Sequence, residues 1–300
     1  MKVLLTGANG FIGRNLAEQF AKKYEVLAPR HAQLDLLSGD SLRAYLALHR
    51  PDAVVHCAAV GVSRGQKTEG VKDLNLAMFK NILSNSRYFT KLIQIGSGAE
   101  YGKARGLARI PEEEFGHVIP SDEYGLSKYL CAKEIEQFVK SDAGRLVSLR
   151  LFGCYGQYED YSTRFISNNL CRSLFGLPVL IANRDALFDY LYVDDLARIV
   201  SHFIARKKPA PHVFYNATPD FSISLLELAK KINALHGRKP GIIVRHPGMG
   251  LPYSGDNSRL REELGAKFKF TPIDQGIQRL EQWYGKNREK IDITKLGPAN

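Results

Sequence analysis

With 300 residues and 42 Lys and Arg against 31 Asp and Glu, the chain carries a formal net charge of +11 and is long enough to bury a core of enzyme size. No uninterrupted apolar run approaches a membrane span, and the opening MKVLLTGANGF lacks the apolar stretch and small-residue cleavage site of a secretory leader. The basic residues are scattered, so the charge alone selects no nucleic acid, membrane or small anion, and Cys57, Cys131, Cys154 and Cys171 lack metal-like spacing; the expectation is a cytoplasmic protein with free thiols and no metal.

Apolar runs at 2–6, 25–29, 53–57, 91–96 and 146–152 alternate with helix-period segments that start near Phe11, Asp40, Val71 and Tyr124. Strands separated by helices predict βαβ units, hence an α/β fold with a Rossmann-type doubly wound parallel sheet. After Gly156 the pieces shorten: a helix over 163–175, a strand-like LFDYLYV at 187–193, a helix from Asp194 to Ala205, and helices over 223–236 and 274–284. The predicted organisation is a dinucleotide-binding domain over 1–160, to which 185–207 returns, and a smaller α/β substrate lobe from 161–184 and 208–300. A lobe of that kind sits against the carboxyl ends of parallel strands. No Pro/Gly/Ser linker parts the halves, so they are expected to share an interface.

The run KVLLTG leads into Gly7, Gly10 and Gly13 and then into the helical RNLAEQFAKK. Glycines at that spacing, between a strand and a helix, point to a dinucleotide site. Gly7 permits a tight turn, Gly10 lets backbone approach a pyrophosphate, Gly13 lets the helix pack on the sheet, and the helix N-terminus offers N–H groups to the anion. The second strand ends in Arg30 and His31, where an NAD user presents an acid, so NADP(H) is favoured over NAD(H); alternatively, Arg30 is a solvated loop charge. Asp35 in QLDLL either reaches the adenine or serves as a turn residue ahead of the next helix.

In SDEYGLSKYLCAKEIEQF, Tyr124 and Lys128 stand four apart and share a helix face. An ordinary tyrosine ionises near pH 10, so a phenol that exchanges protons near neutrality needs a nearby cation and a partly dry site. The strand KLIQIG delivers Ser97 at its carboxyl end, where a hydroxyl could hold the oxygen that Tyr124 protonates. His56, within AVVHCAA, reads as a packed core histidine; Asp194 and Asp195 read as helix-capping acids. Tyr155, Tyr158 and Tyr161 either stack on a ligand or cover the lobe interface.

These residues, with TGANGFIG at 6–13, HCAA at 56–59, Asn75, SGAEYG at 97–102, YGLSK at 124–128, RLFGCYG at 150–156 and YLYVDDLA at 190–197, resemble the extended short-chain dehydrogenases, the NAD-dependent epimerase/dehydratase family. The resemblance covers nearly the whole length. It implies nucleotide-sugar substrates, a Ser97, Tyr124 and Lys128 triad, and a cofactor shell in which Phe11, Ile12, Leu36, Ala58, Ala59, Asn75 and Leu151 join the glycines, Arg30 and Asp35. Ser97, Gly98, Ala99, Tyr155, Arg164 and Arg172 are the expected substrate contacts. Several departures narrow the reaction. Family dehydratases carry an Asp-Glu pair where this chain has Gly98 and Ala99. Members that reduce and also epimerise carry a cysteine at the Ala99 place and a histidine near Arg164. An asparagine of the family turn is Gly153, and an arginine that grips the diphosphate is Phe188, which leaves Arg164, Arg172, Arg184 or Arg261 for that task.

The reading is an NADP(H)-dependent reductase of a nucleotide-activated 4-keto-sugar, with a nucleotide-sugar C4 epimerase and a non-catalytic dinucleotide sensor as its rivals. The expected partners are the nucleotide-sugar and a second copy of the chain in a homodimer, without nucleic acid or membrane.

Overall fold

Residues Val3, Leu4, Leu5, Ala53, Val54, Val55, Ile93, Val147 and Leu149 are almost completely buried although neighbours along a strand point to opposite faces. Strands apolar on both faces fit a parallel sheet covered by helices on either side. The computed structural model bears this out, and it describes all residues except 62–68, 141–143, 236–239 and 298–300.

The first part runs β1 (Lys2–Thr6), α1 (Phe11–Phe20), β2 (Glu25–Leu27), α2 (Gly39–His49), β3 (Ala53–His56), α3 (Val71–Ser84) and β4 (Lys91–Ser97). Next come β5 (Leu107–Ile110), α4 (Glu123–Phe138), β6 (Leu146–Leu151), β7 (Cys154–Tyr155), α5 (Phe165–Leu174), β8 (Val179–Ile181), β9 (Leu187–Phe188), β10 (Leu191–Tyr192) and α6 (Val193–Ala205). The chain closes with β11 (Phe214–Ala217), β12 (Ile223–Ser224), α7 (Leu225–Ala234), β13 (Ile242–Val244), β14 (Tyr253–Gly255), α8 (Ser258–Leu264) and α9 (Ile273–Lys286).

Six strands form one parallel sheet in the order β11-β6-β4-β3-β1-β2. The chain leaves β1 toward β2 and then returns to β3 on the other side, so the switch point lies at the carboxyl ends of β1 and β3. Helices α1 and α6 cover one face through Leu16, Phe20, Leu196 and Val200. On the other, α2, α3 and α4 pack through Leu42, Phe79, Ile82 and Ile135. A second core, from Ile166, Leu170, Leu228, Ile277 and Leu280, builds the C-terminal lobe. A small mixed sheet, β12-β9-β14-β5, lies beside the carboxyl edge of the large one. Among the described residues no helix is long and apolar enough to cross a membrane.

Three sequence expectations need correction. The large sheet takes its sixth strand, β11, from the stretch assigned to the substrate lobe, because Phe214–Ala217 pairs in register with Ser148–Leu151. LFDYLYV is not one strand: it breaks into β9 and β10 around Asp189, whose buried carboxylate accepts from Thr218 Oγ1, Ser222 Oγ and the Gly255 N–H. Asp194 and Asp195 do not cap α6, whose N-cap is Tyr192 without a side-chain bond. They anchor neighbours instead, Asp194 accepting from Gln19 Nε2 at 2.8 Å and Asp195 from the Thr271 N–H at 2.6 Å. The expected end of the 223–236 helix falls outside the described residues, the helix itself covering Leu225–Ala234.

His56 is the core histidine that its sequence context suggests. Its Nδ1 lies 2.7 Å from Thr6 Oγ1 and its ring stacks on Phe79 at 5.9 Å. Burial, assisted by the Lys128 charge, pushes its pKa down to about 3 from 6.5. Between those values the unfolded chain takes up a proton that the folded chain refuses. Stability present above pH 6.5 is therefore lost on acidification at about 1.4 kcal/mol per pH unit, or about 2 kcal/mol by pH 5. His56→Gln, which keeps a polar partner for Thr6, should lose about 2 kcal/mol less than wild type between pH 7 and pH 5 in urea unfolding. Equal losses in the two proteins would remove His56 as the acid-labile group.

Candidate active site

The glycine loop lies at the switch point. Gly7 has φ +70, and a Cβ there would stand 2.6 Å from the Ala58 N atom. A Cβ on Gly13 would run into the Gly7 carbonyl oxygen, so α1 can meet the loop only without side chains. The N-cap of α1, Gly10, makes no side-chain cap bond. A close-packed backbone cradle at a helix start free of side-chain caps fits a dinucleotide pyrophosphate, and Gly7, Gly10 and Gly13 with the first turn at Phe11 and Ile12 would hold it. Ala58 and Ala59 follow β3 beside this loop.

Other members of the expected cofactor shell have different local tasks. Asn75 is buried and its amide is committed: it donates to Val60 O and Ser127 Oγ and accepts from the Val60 N–H. It therefore ties the loop after β3 to α4. Leu36 and Leu151 put their side chains into the core. Asp35 accepts from the Leu37 N–H at 2.9 Å, which makes it a turn residue. Arg30 is exposed beyond β2, its own N–H bonded to Gln33 Oε1.

Ser97 ends β4 and caps the short turn Gly98–Tyr101. Its Oγ accepts from the Ala99 N–H at 3.1 Å, and its N–H donates to Glu100 Oε1 at 2.9 Å. Glu100 and Arg150 are both fully buried and pair at 2.7 Å; Arg150 also donates to Tyr101 OH, which donates to Asn216 Oδ1 on β11. Helix α4 begins after Asp122, whose carboxylate accepts from the Gly125 N–H at 2.8 Å. Residue 125 has no side chain, and a Cβ there would stand 3.1 Å from Ala99 O and 2.9 Å from Pro120. That close approach puts the first turn of α4, with half-buried Tyr124, against the Ser97 turn. One turn on, Lys128 is 6% exposed; its Nζ donates to Ile95 O at 2.9 Å and lies 5.8 Å from the centre of the Tyr124 ring. Ser97, Tyr124 and Lys128 thus come together at the carboxyl edge beside the glycine loop.

The expected substrate contacts fare unevenly. Ala99 is completely buried and Gly98 is packed on Phe152, so neither offers side-chain surface to a substrate. Arg172 is buried and spends its guanidinium on Pro178 O, Leu296 O and Gly297 O, which excludes it as a diphosphate grip. Arg261 is likewise engaged, with Phe268 O and Asp220. Tyr155 is buried in the C-terminal core with its hydroxyl against Gly276, and Tyr158 and Tyr161 bind Glu18 and the Asp292 N–H. All three tyrosines serve packing between elements. Arg164 is exposed at the N-cap of α5, and Arg184 is exposed before β9. Gly153 accommodates the Asp189 carbonyl, against which a Cβ would collide.

Two residues that sequence reasoning passed over also face the site. Lys103 places its ammonium 5.7 Å from the centre of the Tyr124 ring and 5.5 Å from that of Tyr253. Tyr253 arrives on β14, and nothing in its local sequence marks it. Among the described residues no three potential metal ligands cluster.

Fold and site define the class of extended short-chain dehydrogenases, oxidoreductases that use a nicotinamide dinucleotide. Specifically, the chain belongs to the NAD dependent epimerase/dehydratase family, whose sequence profile matches residues 3–217. It is 25% identical to GDP-L-colitose synthase of Yersinia pseudotuberculosis, over 95% of this chain and 98% of that one. It is 27% identical to UDP-2-acetamido-2,6-beta-L-arabino-hexul-4-ose reductase of Pseudomonas aeruginosa, over 84% of this chain and 62% of the relative. Among solved structures, UDP-glucose 4-epimerase of Thermotoga maritima has the same fold with a TM-score of 0.81 at 22% identity, covering 96% of this chain and 100% of that one.

The Glu100–Arg150 pair tests how the Ser97 turn is held. Removing one partner of a buried ion pair strands the other charge, at a cost of about 3 to 5 kcal/mol. Glu100→Ala should lose that much in denaturant unfolding, and adding Arg150→Met should restore part of it. A loss below about 1 kcal/mol for Glu100→Ala would show that the pair does not hold the turn.

Proposed function

We propose that this chain is an NADP(H)-dependent reductase of a nucleotide-activated 4-keto-sugar. The observation that carries the reading is the convergence of Ser97, Tyr124 and Lys128 around a turn whose next two residues, Gly98 and Ala99, are buried and not acidic. Elimination of water needs an acid and a base at those places, whereas carbonyl reduction needs only a proton donor and a hydride. Two of the relatives, a synthase of a GDP-linked sugar and a reductase of a UDP-linked 4-ketose, support the same choice, and the dTDP-glucose 4,6-dehydratases that also match are set aside on Gly98 and Ala99.

Tyr124 is the proton donor. Its phenol gives its proton to the carbonyl oxygen while the carbonyl carbon gains the hydride, so the product is an alcohol. When bound, the reduced nicotinamide supplies that hydride. Lys128 is anchored on a neutral carbonyl, Ile95 O, and not on an acid, so its full charge remains to stabilise the phenolate left behind. The remaining N–H groups of its ammonium are free to hold the cofactor ribose. Ser97 donates to the substrate oxygen and fixes it between the two. Arg164 and Arg184, both exposed, are the arginines of the expected set that a diphosphate can reach from solvent.

Incubation with NADPH and GDP-, UDP- and dTDP-linked 4-keto-6-deoxyhexoses tests the reading. Oxidation of NADPH with formation of the 4-hydroxyl sugar is expected for at least one of them. No turnover of any, or conversion of a 4-hydroxyl sugar into its epimer on NAD that stays bound through purification, overturns it. Tyr124→Phe should lower kcat by 10²-fold or more and leave dinucleotide affinity nearly intact, since it removes a transferable proton and little surface. Retention of more than about a third of the wild-type rate in single-turnover measurements would sink that role.

The NADP(H) preference rests on Arg30. A charge-assisted pair with the 2′-phosphate makes Arg30→Ala cost about 1.5 to 3 kcal/mol, roughly 10- to 150-fold in NADPH affinity, and almost nothing for NADH. Isothermal titration of both cofactors into both proteins measures this. Equal losses for the two, or a wild type that prefers NADH, would show that Arg30 does not read the phosphate.

A further inference from the structure

Lys103 opens the short turn Lys103–Arg105, which follows directly on the turn that Ser97 caps. The Gly102 N–H donates to Ala99 O at 3.1 Å and the Gly106 N–H to Lys103 O at 3.0 Å, so the backbone that carries the lysine is tied at both ends. Its ammonium lies 5.7 Å from the centre of the Tyr124 ring, nearly the same distance as that of Lys128 at 5.8 Å. The Tyr253 ring, 5.5 Å away, is its second aromatic neighbour.

What Lys103 lacks is an acid. Among the described residues no carboxylate pairs with its ammonium, whereas Arg105 on the same turn is paired with Glu114 at 3.3 Å. Tyr253 packs on Phe152 at 5.1 Å and on Phe188 at 6.1 Å, and so presents a fixed ring to the cation. A ring attracts a cation through its quadrupole and leaves the charge whole, where a carboxylate would cancel it. Lys103 thus keeps its charge beside the proton donor. When Tyr124 gives its proton to the carbonyl oxygen, the negative charge left behind spreads over the oxygen and the ring, within reach of that ammonium. Lys103 is exposed, so water screens the attraction in the open site; a bound sugar displaces that water and strengthens it.

We propose that Lys103 is a positioning residue that acts through Tyr124: it sets a second positive charge beside the ring and stabilises the phenolate as the proton leaves. The inference rests on the proton-donor role given to Tyr124 in the proposed function. It divides the work between two lysines. Lys128, buried and bonded to Ile95 O, acts whether or not substrate is present, and Lys103 acts fully only once the sugar has excluded water.

Kinetics of wild type, Lys103→Met, Lys103→Arg, Tyr124→Phe and the double variant of Lys103→Met with Tyr124→Phe test this, using NADPH and whichever of the GDP-, UDP- and dTDP-linked 4-keto-6-deoxyhexoses is reduced fastest. The Lys103 side chain is exposed, so the melting temperature should not change. Lys103→Met should lower kcat about 3- to 30-fold, the worth of a cation–ring contact as water is excluded, with KM and NADPH affinity unchanged. Lys103→Arg, which restores the charge, should keep most of the wild-type rate. In the Tyr124→Phe background, Lys103→Met should have no further effect on the residual rate, because no phenolate forms. An undiminished loss in that background, an effect confined to KM, or a wild-type kcat in Lys103→Met overturns the proposal while the role of Tyr124 stands. Near wild-type turnover by Tyr124→Phe alone sinks the site reading and this proposal with it.

Discussion

The buried pair between Glu100 and Arg150 is the contact on which the rest of the site is built. Buried ion pairs contribute little net stability, because desolvation offsets most of their attraction. What this one contributes is geometry. Glu100 receives the Ser97 N–H on one oxygen and Arg150 on the other, so the turn after β4 is bound to β6 directly beneath the serine. The chain makes room for it at Gly96, where a Cβ would stand 2.7 Å from Glu100 Oε1. From Arg150 the bonds continue through Tyr101 to Asn216 on β11, and Asn216 in turn donates to Ile110 O and Asp256 O. One polar network thus joins the large sheet to the strands that bring Tyr253.

Around that network the site depends on places where side chains are missing. Gly7 and Gly13 let α1 descend onto the loop after β1, and Gly125 lets α4 descend onto the loop after β4. The two helices deliver opposite electrostatic services: α1 offers peptide N–H groups to an anion, and α4 offers Lys128 next to a phenol. Nearby groups that could compete for charge are silenced by burial, His56 being neutral and the Cys57 thiol pushed up to about 12. Lys128 therefore acts in surroundings where neither group opposes or cancels it.

Much of this was legible before any coordinates. Glycine spacing between a strand and a helix is a local signal, and so is a tyrosine followed four residues later by a lysine on one helix face. The alternating strands and helices of the first half were equally local, because each crossover is completed within a few tens of residues. What the sequence misplaced were residues whose charge or ring suggested a ligand contact. Arg172 and Tyr155 have the chemistry of substrate contacts, yet what buries them, the Leu296 and Gly297 carbonyls for one and the helix glycine Gly276 for the other, comes from segments more than a hundred residues away. A sequence displays a charge and conceals its burial.

The sequence by itself determined the class of fold, the glycine loop between β1 and α1 and the candidate set Ser97, Tyr124 and Lys128, because each is encoded by neighbours along the chain whose geometry follows from strand and helix periods. The tertiary structure decided that β11 completes the large sheet, that Asn75 clamps the loop after β3 to α4, and that the Lys103 ammonium stands near the rings of both Tyr124 and Tyr253. Those outcomes depend on strand order and on which helix faces meet. Strand order is fixed by the free energy of the whole core, not by any local run of residues.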